Sequence, residues 1–168
     1  MEVVLALPSV EGVIGCWDLH TGAEQLRYKS CLSPSHGLIS VGSRFIASSQ
    51  LRETSTTSGS VLFWSWSKPQ VEVKSFLAEP IRSLASNHPG TFVVGGASSG
   101  DIYLWEVETG RLLKKWRAHF RAVTCLVFSE DDSLLISGSE DGTCIAWVLA
   151  VLTTVVFVAL HFVVQDIR

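Results

Sequence analysis

Four tryptophans recur at nearly constant intervals along the chain, and this period constrains the fold more than any other feature. Trp17, Trp64, Trp105 and Trp147 are separated by 47, 41 and 42 residues. Each closes a short apolar run that follows a polar turn. Periods of about 40–45 residues built from short strands are typical of arrays in which every unit is one small antiparallel sheet. The sequence therefore predicts an all-β array of about three and a half units within residues 1–147.

The unit that ends at Trp147 shows the strand pattern most clearly. Residues 123–128 and 134–139 are rich in aliphatic and β-branched side chains, and a polar turn separates them. Asp141-Gly142 then predicts a tight hairpin, because this pair readily adopts positive φ angles. A third strand follows and ends at Trp147. In the preceding unit, charged and apolar residues alternate over 111–116, as expected for a half-exposed outer strand.

These features resemble the WD-repeat family over residues 3–147, most strongly over 118–147. The resemblance implies a partial WD-repeat β-propeller of about 3.5 blades. It also implies a buried structural tetrad of His119, Ser137, Asp141 and Trp147, with Ala118-His119 at the family's Gly-His position. A buried carboxylate needs hydrogen-bond donors, which a histidine and backbone N–H groups supply.

The third unit departs from this family pattern. Ser99 stands where the turn aspartate would lie, and Glu79-Pro80 replaces Gly-His. We expect this unit to depend more on apolar packing than on a tetrad.

A narrower resemblance points to a function. Three segments, residues 16–22, 80–84 and 102–110, are similar to the Ipi-type WD-repeat subunits of the Rix-type complex. That resemblance implies a non-enzymatic interaction scaffold in a nuclear complex for rRNA processing and assembly of the large ribosomal subunit, with links to replication licensing in fungi. Its partners would be other subunits of that complex, with indirect association with rRNA and the pre-ribosome in the nucleolus or nucleoplasm. The alternative is a generic WD-repeat adaptor in ubiquitin ligation or signalling.

The residues of the tetrad also suggest a hydrolase, since they include a serine, a histidine and an aspartate. No nucleophile-elbow motif G-x-S-x-G accompanies them, and their positions match the family's structural tetrad. We therefore predict that the protein is not an enzyme and has no cofactor. The four cysteines form no C-x-x-C pair and show no zinc-ligand spacing, which predicts no metal site and free thiols.

One charged cluster is a candidate contact for an acidic partner or for rRNA. The basic stripe places five of the 13 Lys and Arg residues within eleven positions, in a chain whose net charge is −3. Its members are Arg111, Lys114, Lys115, Arg117 and Arg121. Such a stripe is either the solvated face of an outer strand or a surface that binds phosphates, in which case binding weakens with salt.

An apolar tail, residues 148–168, follows the last repeat. The run 144–164 contains 21 uncharged, mostly apolar residues, and about 20 are enough for a helix to cross a membrane. Three interpretations stay open: a membrane anchor on a cytoplasm-facing protein, a buried or edge strand favoured by seven valines, or an aberrant terminus from a truncated gene model or splice variant. Because the run begins inside a unit, the sequence favours the third and predicts that the last unit lacks its outer strand. Open ends of the array predict poor solubility or assembly with another chain.

Overall fold

A computed structural model describes residues 3–6, 13–29, 33–34, 36–50, 59–75, 79–149 and 159–163. These residues form four antiparallel sheets and no helix. Sheet 1 contains β1 (Val3–Ala6), β2 (Val13–Asp18) and β3 (Glu24–Lys29). Sheet 2 contains β4 (Leu38–Val41), β5 (Phe45–Gln50), β6 (Ser60–Ser65) and β7 (Val71–Ser75). Sheet 3 contains β8 (Ile81–Ser86), β9 (Phe92–Ala97), β10 (Asp101–Glu106) and β11 (Leu112–Arg117). Sheet 4 contains β12 (Val123–Phe128), β13 (Leu134–Ser139), β14 (Thr143–Val148) and β15 (Ala159–Val163).

Within every sheet, each strand pairs with the strand that follows it in the chain. Short turns make this possible where glycine supplies a positive φ. Gly100 has φ +95° between β9 and β10, and Gly142 has φ +80° in the predicted hairpin between β13 and β14. The sheets are therefore local units, each closed by hydrogen bonds among neighbouring segments.

The tryptophan-bearing strand of sheets 1, 2 and 3 carries the same irregularity in its pairing with the outer strand. The register shifts between Cys16 and Trp17, between Phe63 and Trp64, and between Leu104 and Trp105. A bulge at this point increases the local twist of the strand pair. The pairing of β14 with β15 has no such shift, so β15 differs in backbone detail from the outer strands of the other sheets.

The sheets pack face to face in chain order, with one apolar cluster in each interface. The cluster between sheets 1 and 2 joins Ile14, Cys16 and Tyr28 to Ile46, Leu62 and Trp64. The cluster between sheets 2 and 3 joins Val41, Ala47, Val61 and Phe63 to Ile81, Val93, Tyr103 and Trp105. The cluster between sheets 3 and 4 joins Ala85, Val94, Ile102 and Leu104 to Val123, Leu135, Ile145 and Trp147. In all three interfaces the tryptophan of the later sheet meets aliphatic side chains of the earlier one.

The C-terminal segment corrects one prediction. The last unit does not lack its outer strand, because residues 159–163 pair with β14 from Thr143↔Val163 to Trp147↔Ala159. The sheet with three strands is sheet 1. Residues 159–163 form a strand and not a helix, which agrees with the second of the three interpretations of the tail. Residues 150–158 and 164–168 lie outside the described part of the chain. Among the described residues, no helix is long and apolar enough to cross a membrane.

Candidate functional site

Three of the four predicted tetrad residues form a buried chain of hydrogen bonds in sheet 4. The indole Nε1–H of Trp147 donates to Ser137 Oγ at 2.9 Å, and Ser137 Oγ lies 2.8 Å from His119 Nε2. Ser137 is fully buried and His119 is 2 % exposed. Because Ser137 accepts from the indole, it can donate its own proton to Nε2, which leaves the His119 proton on Nδ1. This chain of hydrogen bonds through Trp147, Ser137 and His119, the relay, therefore gives each of its buried polar atoms a partner.

Asp141 completes the arrangement from the hairpin between β13 and β14. Its Oδ1 accepts from the Thr143 hydroxyl at 2.6 Å and from the Thr143 amide at 2.9 Å, and Thr143 Oγ1 lies 3.0 Å from His119 Nδ1. His119 Nδ1 is itself 3.4 Å from Asp141 Oδ2. Burial alone would raise the pKa of Asp141, but the bonds from Thr143 and from the Phe120 amide, with the nearby His119, hold that pKa well below its ordinary value. The carboxylate is thus kept ionised by a full set of donors.

The same residues fix the loop that joins sheets 3 and 4. The amides of Ala118 and His119 both donate to the carbonyl oxygen of Gly100, at 3.1 and 3.0 Å. The Phe120 amide donates to Asp141 Oδ2 at 2.9 Å. The loop is therefore tied on one side to sheet 3 and on the other to sheet 4.

This fixed loop carries an exposed aromatic side chain. Phe120 is 88 % exposed, the largest exposure among the large apolar side chains of the described residues. Arg121 follows it and is also exposed. An aromatic ring and a cation on a rigid loop are side chains that interfaces favour, since aromatic residues and arginine are enriched at interface cores.

The chemistry available to the tetrad is structural. A serine nucleophile needs a hydroxyl that can reach a substrate, whereas Ser137 Oγ is enclosed between Trp147 and His119. Among the described residues, no group of three or more His, Cys, Asp or Glu side chains is placed to hold a metal ion. The cysteines Cys16, Cys125 and Cys144 are free thiols.

Sheet 3 replaces the tetrad with a network centred on Glu79. This carboxylate accepts a short hydrogen bond from the Tyr103 hydroxyl, a bond from the Ser99 amide at 3.3 Å, and lies 3.4 Å from Lys115 Nζ. Burial would raise the pKa of Glu79, but these donors lower it below the ordinary value. The prediction that this unit depends mainly on apolar packing is therefore incomplete, because a polar network stands in the tetrad's place.

The tryptophan of sheet 3 also has a different partner. Trp105 Nε1 donates to Ser75 Oγ of sheet 2 at 2.9 Å, whereas Trp147 bonds within its own sheet. The residue of β9 that corresponds to Ser137 is Gly95, and a Cβ there would lie 2.7 Å from the Trp105 ring. A glycine is required because the indole occupies the space of the serine.

The basic stripe does not form one compact surface. Lys115 Nζ lies 2.8 Å from Asp101 Oδ2, and Arg117 lies 3.7 Å from Asp101 Oδ1. The hydrogen bond that the Lys115 ammonium donates to Asp101 raises the pKa of Lys115. Arg111 precedes β11 and Arg121 follows it, so a six-residue strand of about 20 Å separates them. Asp101 and Glu79 thus lie against Lys115 and Arg117 in the middle of the stripe, whereas Arg111 and Arg121 lie on either side of β11.

Sequence reasoning missed Thr143 altogether and noted Glu79 without predicting its role. Thr143 bridges Asp141 to His119, and its signal is a hydroxyl two residues after a turn aspartate. Glu79 stands one residue before a proline, at the position where the family has Gly-His. Trp116, inside the basic stripe, packs edge-to-face on Trp147 with centroids 5.9 Å apart, so its ring contributes to the core.

Comparison with known proteins places these observations in a family context. Residues 110–147 match the family model "WD domain, G-beta repeat". The chain is 61% identical over 150 residues to Protein ROOT INITIATION DEFECTIVE 3 of Arabidopsis thaliana, covering 89% of this chain and 34% of that protein. It is 33% identical to WD repeat-containing protein 18 of Bos taurus, with the same coverage of each chain. It is 27% identical to the Pre-rRNA-processing protein IPI3 of Yarrowia lipolytica over 82% of this chain and 32% of that protein.

The chain thus spans about a third of the length of the curated relatives that it matches. Among solved structures, it is similar to the computationally designed Ika4 protein, with a TM-score of 0.71 and 27% identity. The match covers 88% of this chain and 86% of the designed chain.

Proposed function

Because this chain belongs to the WD-repeat family, as a partial propeller of all-β sheets, we propose that it is a non-enzymatic scaffold subunit in rRNA processing and assembly of the large ribosomal subunit. The observation that carries the proposal is the 61% identity to the Arabidopsis protein over 89% of this chain. The Yarrowia lipolytica relative, whose name refers to pre-rRNA processing, supports the same proposal at 27% identity. Pre-rRNA is made and processed in the nucleus, so the proposed location is the nucleolus or nucleoplasm.

The loop between sheets 3 and 4 supplies a contact that suits a scaffold. Phe120 is 88 % exposed, yet its backbone amide is bound to Asp141. A loop whose backbone is already held by hydrogen bonds loses little backbone entropy when a partner covers its side chains, which favours tight association. We assign Phe120 and Arg121 to the contact with a protein subunit of the complex.

Contact with rRNA, if made by this chain, would use the exposed arginines of the basic stripe. Lys115 and Arg117 already lie within ion-pair distance of Asp101, so their charges are less available to bind phosphates. Arg111 and Arg121 are the exposed cations that remain at the ends of β11. The length of β11 between them, about 20 Å, favours an indirect or peripheral association with rRNA over a continuous phosphate-binding surface.

The experiment is an affinity purification of the tagged chain from Arabidopsis cells. Mass spectrometry identifies the partners, and hybridisation with precursor probes measures pre-rRNA in the eluate. We expect precursor rRNA and assembly factors of the large subunit. Phe120→Ala should lower partner recovery at least about tenfold, because buried aromatic anchors carry much of an interface's affinity. Leu19→Ala is the matched control, since Leu19 is also an exposed apolar side chain, 55% exposed, but lies in the turn between β2 and β3 of sheet 1.

Two results would argue against the proposal. One is an eluate with no more precursor rRNA than a tag-only control. The other is recovery of ubiquitin-ligase or signalling proteins in place of assembly factors, which would favour the generic adaptor. Treating half of each eluate with ribonuclease separates partners bound through protein from those bound through RNA.

A further inference from the structure

A cavity of about 390 Å³ lies between sheets 2 and 3, at one edge of the array. It opens where the β4–β5 turn of sheet 2 meets the β8–β9 turn and the end of β10 in sheet 3. Each of these sheets is also packed on its other face, sheet 2 against sheet 1 and sheet 3 against sheet 4. The volume of the cavity lies within the range of pockets that hold small ligands, roughly 300–1,000 Å³.

The backbone around this cavity is held in place by the chain itself. The β4–β5 and β8–β9 turns meet backbone to backbone, since a Cβ on Gly90 would lie 2.6 Å from the Gly42 nitrogen. Asn87 braces the second turn, because its Oδ1 accepts from the Phe92 amide and its Nδ2 donates to Thr91 Oγ1, each at 2.9 Å. A site whose walls are already ordered loses little entropy when a ligand enters it.

The two walls of the cavity carry opposite charges. On the wall from sheet 2, the guanidinium carbon of Arg44 lies 5.2 Å from the centroid of the Phe45 ring. On the wall from sheet 3 lie Glu106, Glu108 and the buried Val107. Among the described residues, no ion pair involves Arg44 or either glutamate. These three charges are therefore available to a ligand that carries both signs.

We propose that the cavity binds a segment of a partner protein in which an arginine and an acidic side chain lie close together. The partner's guanidinium contacts Glu106 and Glu108, because its planar fork of donors can serve two carboxylates, whereas a lysine ammonium is a point charge. Its aliphatic stem covers Val107. The partner's carboxylate accepts charge-assisted hydrogen bonds from Arg44 on the opposite wall. Arg44 disfavours a purely basic segment and the two glutamates disfavour a purely acidic one, so the charges also set specificity.

The cavity and Phe120 lie at opposite edges of the array. Since β10 and β11 are antiparallel, their C-terminal ends point to opposite edges of sheet 3. The cavity lies at the end of β10, whereas Phe120 follows the end of β11. The inference therefore goes beyond the proposed scaffold contact, and it gives the chain a second site that can be occupied while Phe120 is covered.

The test is a titration of the isotope-labelled 168-residue chain with the tripeptide acetyl-Arg-Ala-Asp-amide, followed by the backbone amide shifts in NMR spectra. We expect saturable shifts at Gly90 and Val107. An analogue with citrulline in place of arginine keeps the shape of the side chain and lacks its charge. It should bind at least about tenfold more weakly, because hydrogen bonds between charged groups are roughly twice as strong as neutral ones. An analogue with asparagine in place of aspartate should be weakened by a similar factor.

Matched variants assign each charge to its wall. In the double variant Glu106→Gln, Glu108→Gln, the preference for arginine over citrulline should disappear, while the preference for aspartate over asparagine remains. Arg44→Gln should have the reverse effect. Each variant keeps one preference, which shows that its cavity is still folded. Glu130→Gln is the control and should change neither preference, because Glu130 is an exposed acid of the β12–β13 turn and does not line the cavity.

Three outcomes would overturn the proposal. They are a tripeptide that causes no saturable shift at the cavity, a citrulline analogue that binds as tightly as the arginine peptide, and equal losses of both preferences in both variants. The result is independent of the proposed scaffold role, since it is measured on the purified chain. A chain that binds the tripeptide but recovers no assembly factors from cells would contradict the scaffold role and leave the cavity assigned.

Discussion

The relay in sheet 4 makes a sharp prediction for Ser137→Ala. The change leaves the Trp147 indole N–H and His119 Nε2 without the hydroxyl that lies 2.9 and 2.8 Å from them. Both side chains are at most 5% exposed, so water has little access to replace the lost bonds. Each buried group left unsatisfied costs about 1–3 kcal/mol, which predicts a loss of about 2–6 kcal/mol in the free energy of unfolding. For a chain of this length the midpoint of thermal unfolding should fall by about 2–4 °C for each kcal/mol.

Urea unfolding followed by tryptophan fluorescence, with thermal unfolding by circular dichroism, measures this loss. Ser139→Ala is the matched control on the same strand. Ser139 Oγ donates to the Arg121 carbonyl at 3.1 Å, but Ser139 is half-buried, so water can replace its bonds and we expect a loss of about 1 kcal/mol or less. Equal losses for the two variants would refute the argument that the buried relay, and not serine hydroxyls in general, stabilises sheet 4.

Three further predictions follow from the contacts of sheets 3 and 4. Gly100→Ala should destabilise the chain more than Gly142→Ala in the same urea assay: both have positive φ, but only a Cβ at Gly100 would collide with the His119 carbonyl. Because the pKa of Asp141 is lowered in the folded chain, its ionised carboxylate stabilises the fold above the ordinary Asp pKa of about 3.9, and this stabilisation is lost as the pH falls further. The difference in the free energy of unfolding between the protein and Asp141→Asn should therefore shrink below about pH 4. Lys115→Met should cost about 1 kcal/mol at low salt and less at 1 M salt, because the partly exposed Lys115 ammonium is screened; an equal cost at both salt concentrations would contradict this.

The period of the tryptophans was sufficient to predict the sheets, because one residue type at one spacing marks a strand that must be buried in each unit. The hairpin at Asp141-Gly142 followed from local backbone preference, and β14 extends to Val148, one residue beyond the predicted end of the repeats. The tetrad residues came from family resemblance, and the structure brings them together. Local preferences and periodicity therefore account for most of the architecture.

The remaining features depend on partners distant in the sequence. The network of sheet 3 joins Glu79 to Tyr103 and Lys115, which are 24 and 36 residues away, and no spacing rule pairs them. The sequence also did not predict that β15 pairs with β14. A valine-rich segment has a composition that is compatible with a strand, a buried segment or a membrane span. The neutralisation of the basic stripe by Asp101 could not be anticipated because it requires the register of β10 against β11.

The consecutive order of strands in all four sheets has a consequence for how the chain folds during synthesis. Every strand finds its partner in the adjacent segment, so little loop entropy opposes the closure of each sheet. As the chain leaves the ribosome, sheet 2 can be complete before the residues of sheet 3 emerge, and its exposed aliphatic face then serves as the template on which Trp105 docks. Sheet 4 has the longest connection between paired strands, because ten residues separate β14 from β15, compared with nine between β5 and β6. Its first three strands can therefore dock on sheet 3 before β15 emerges and joins them.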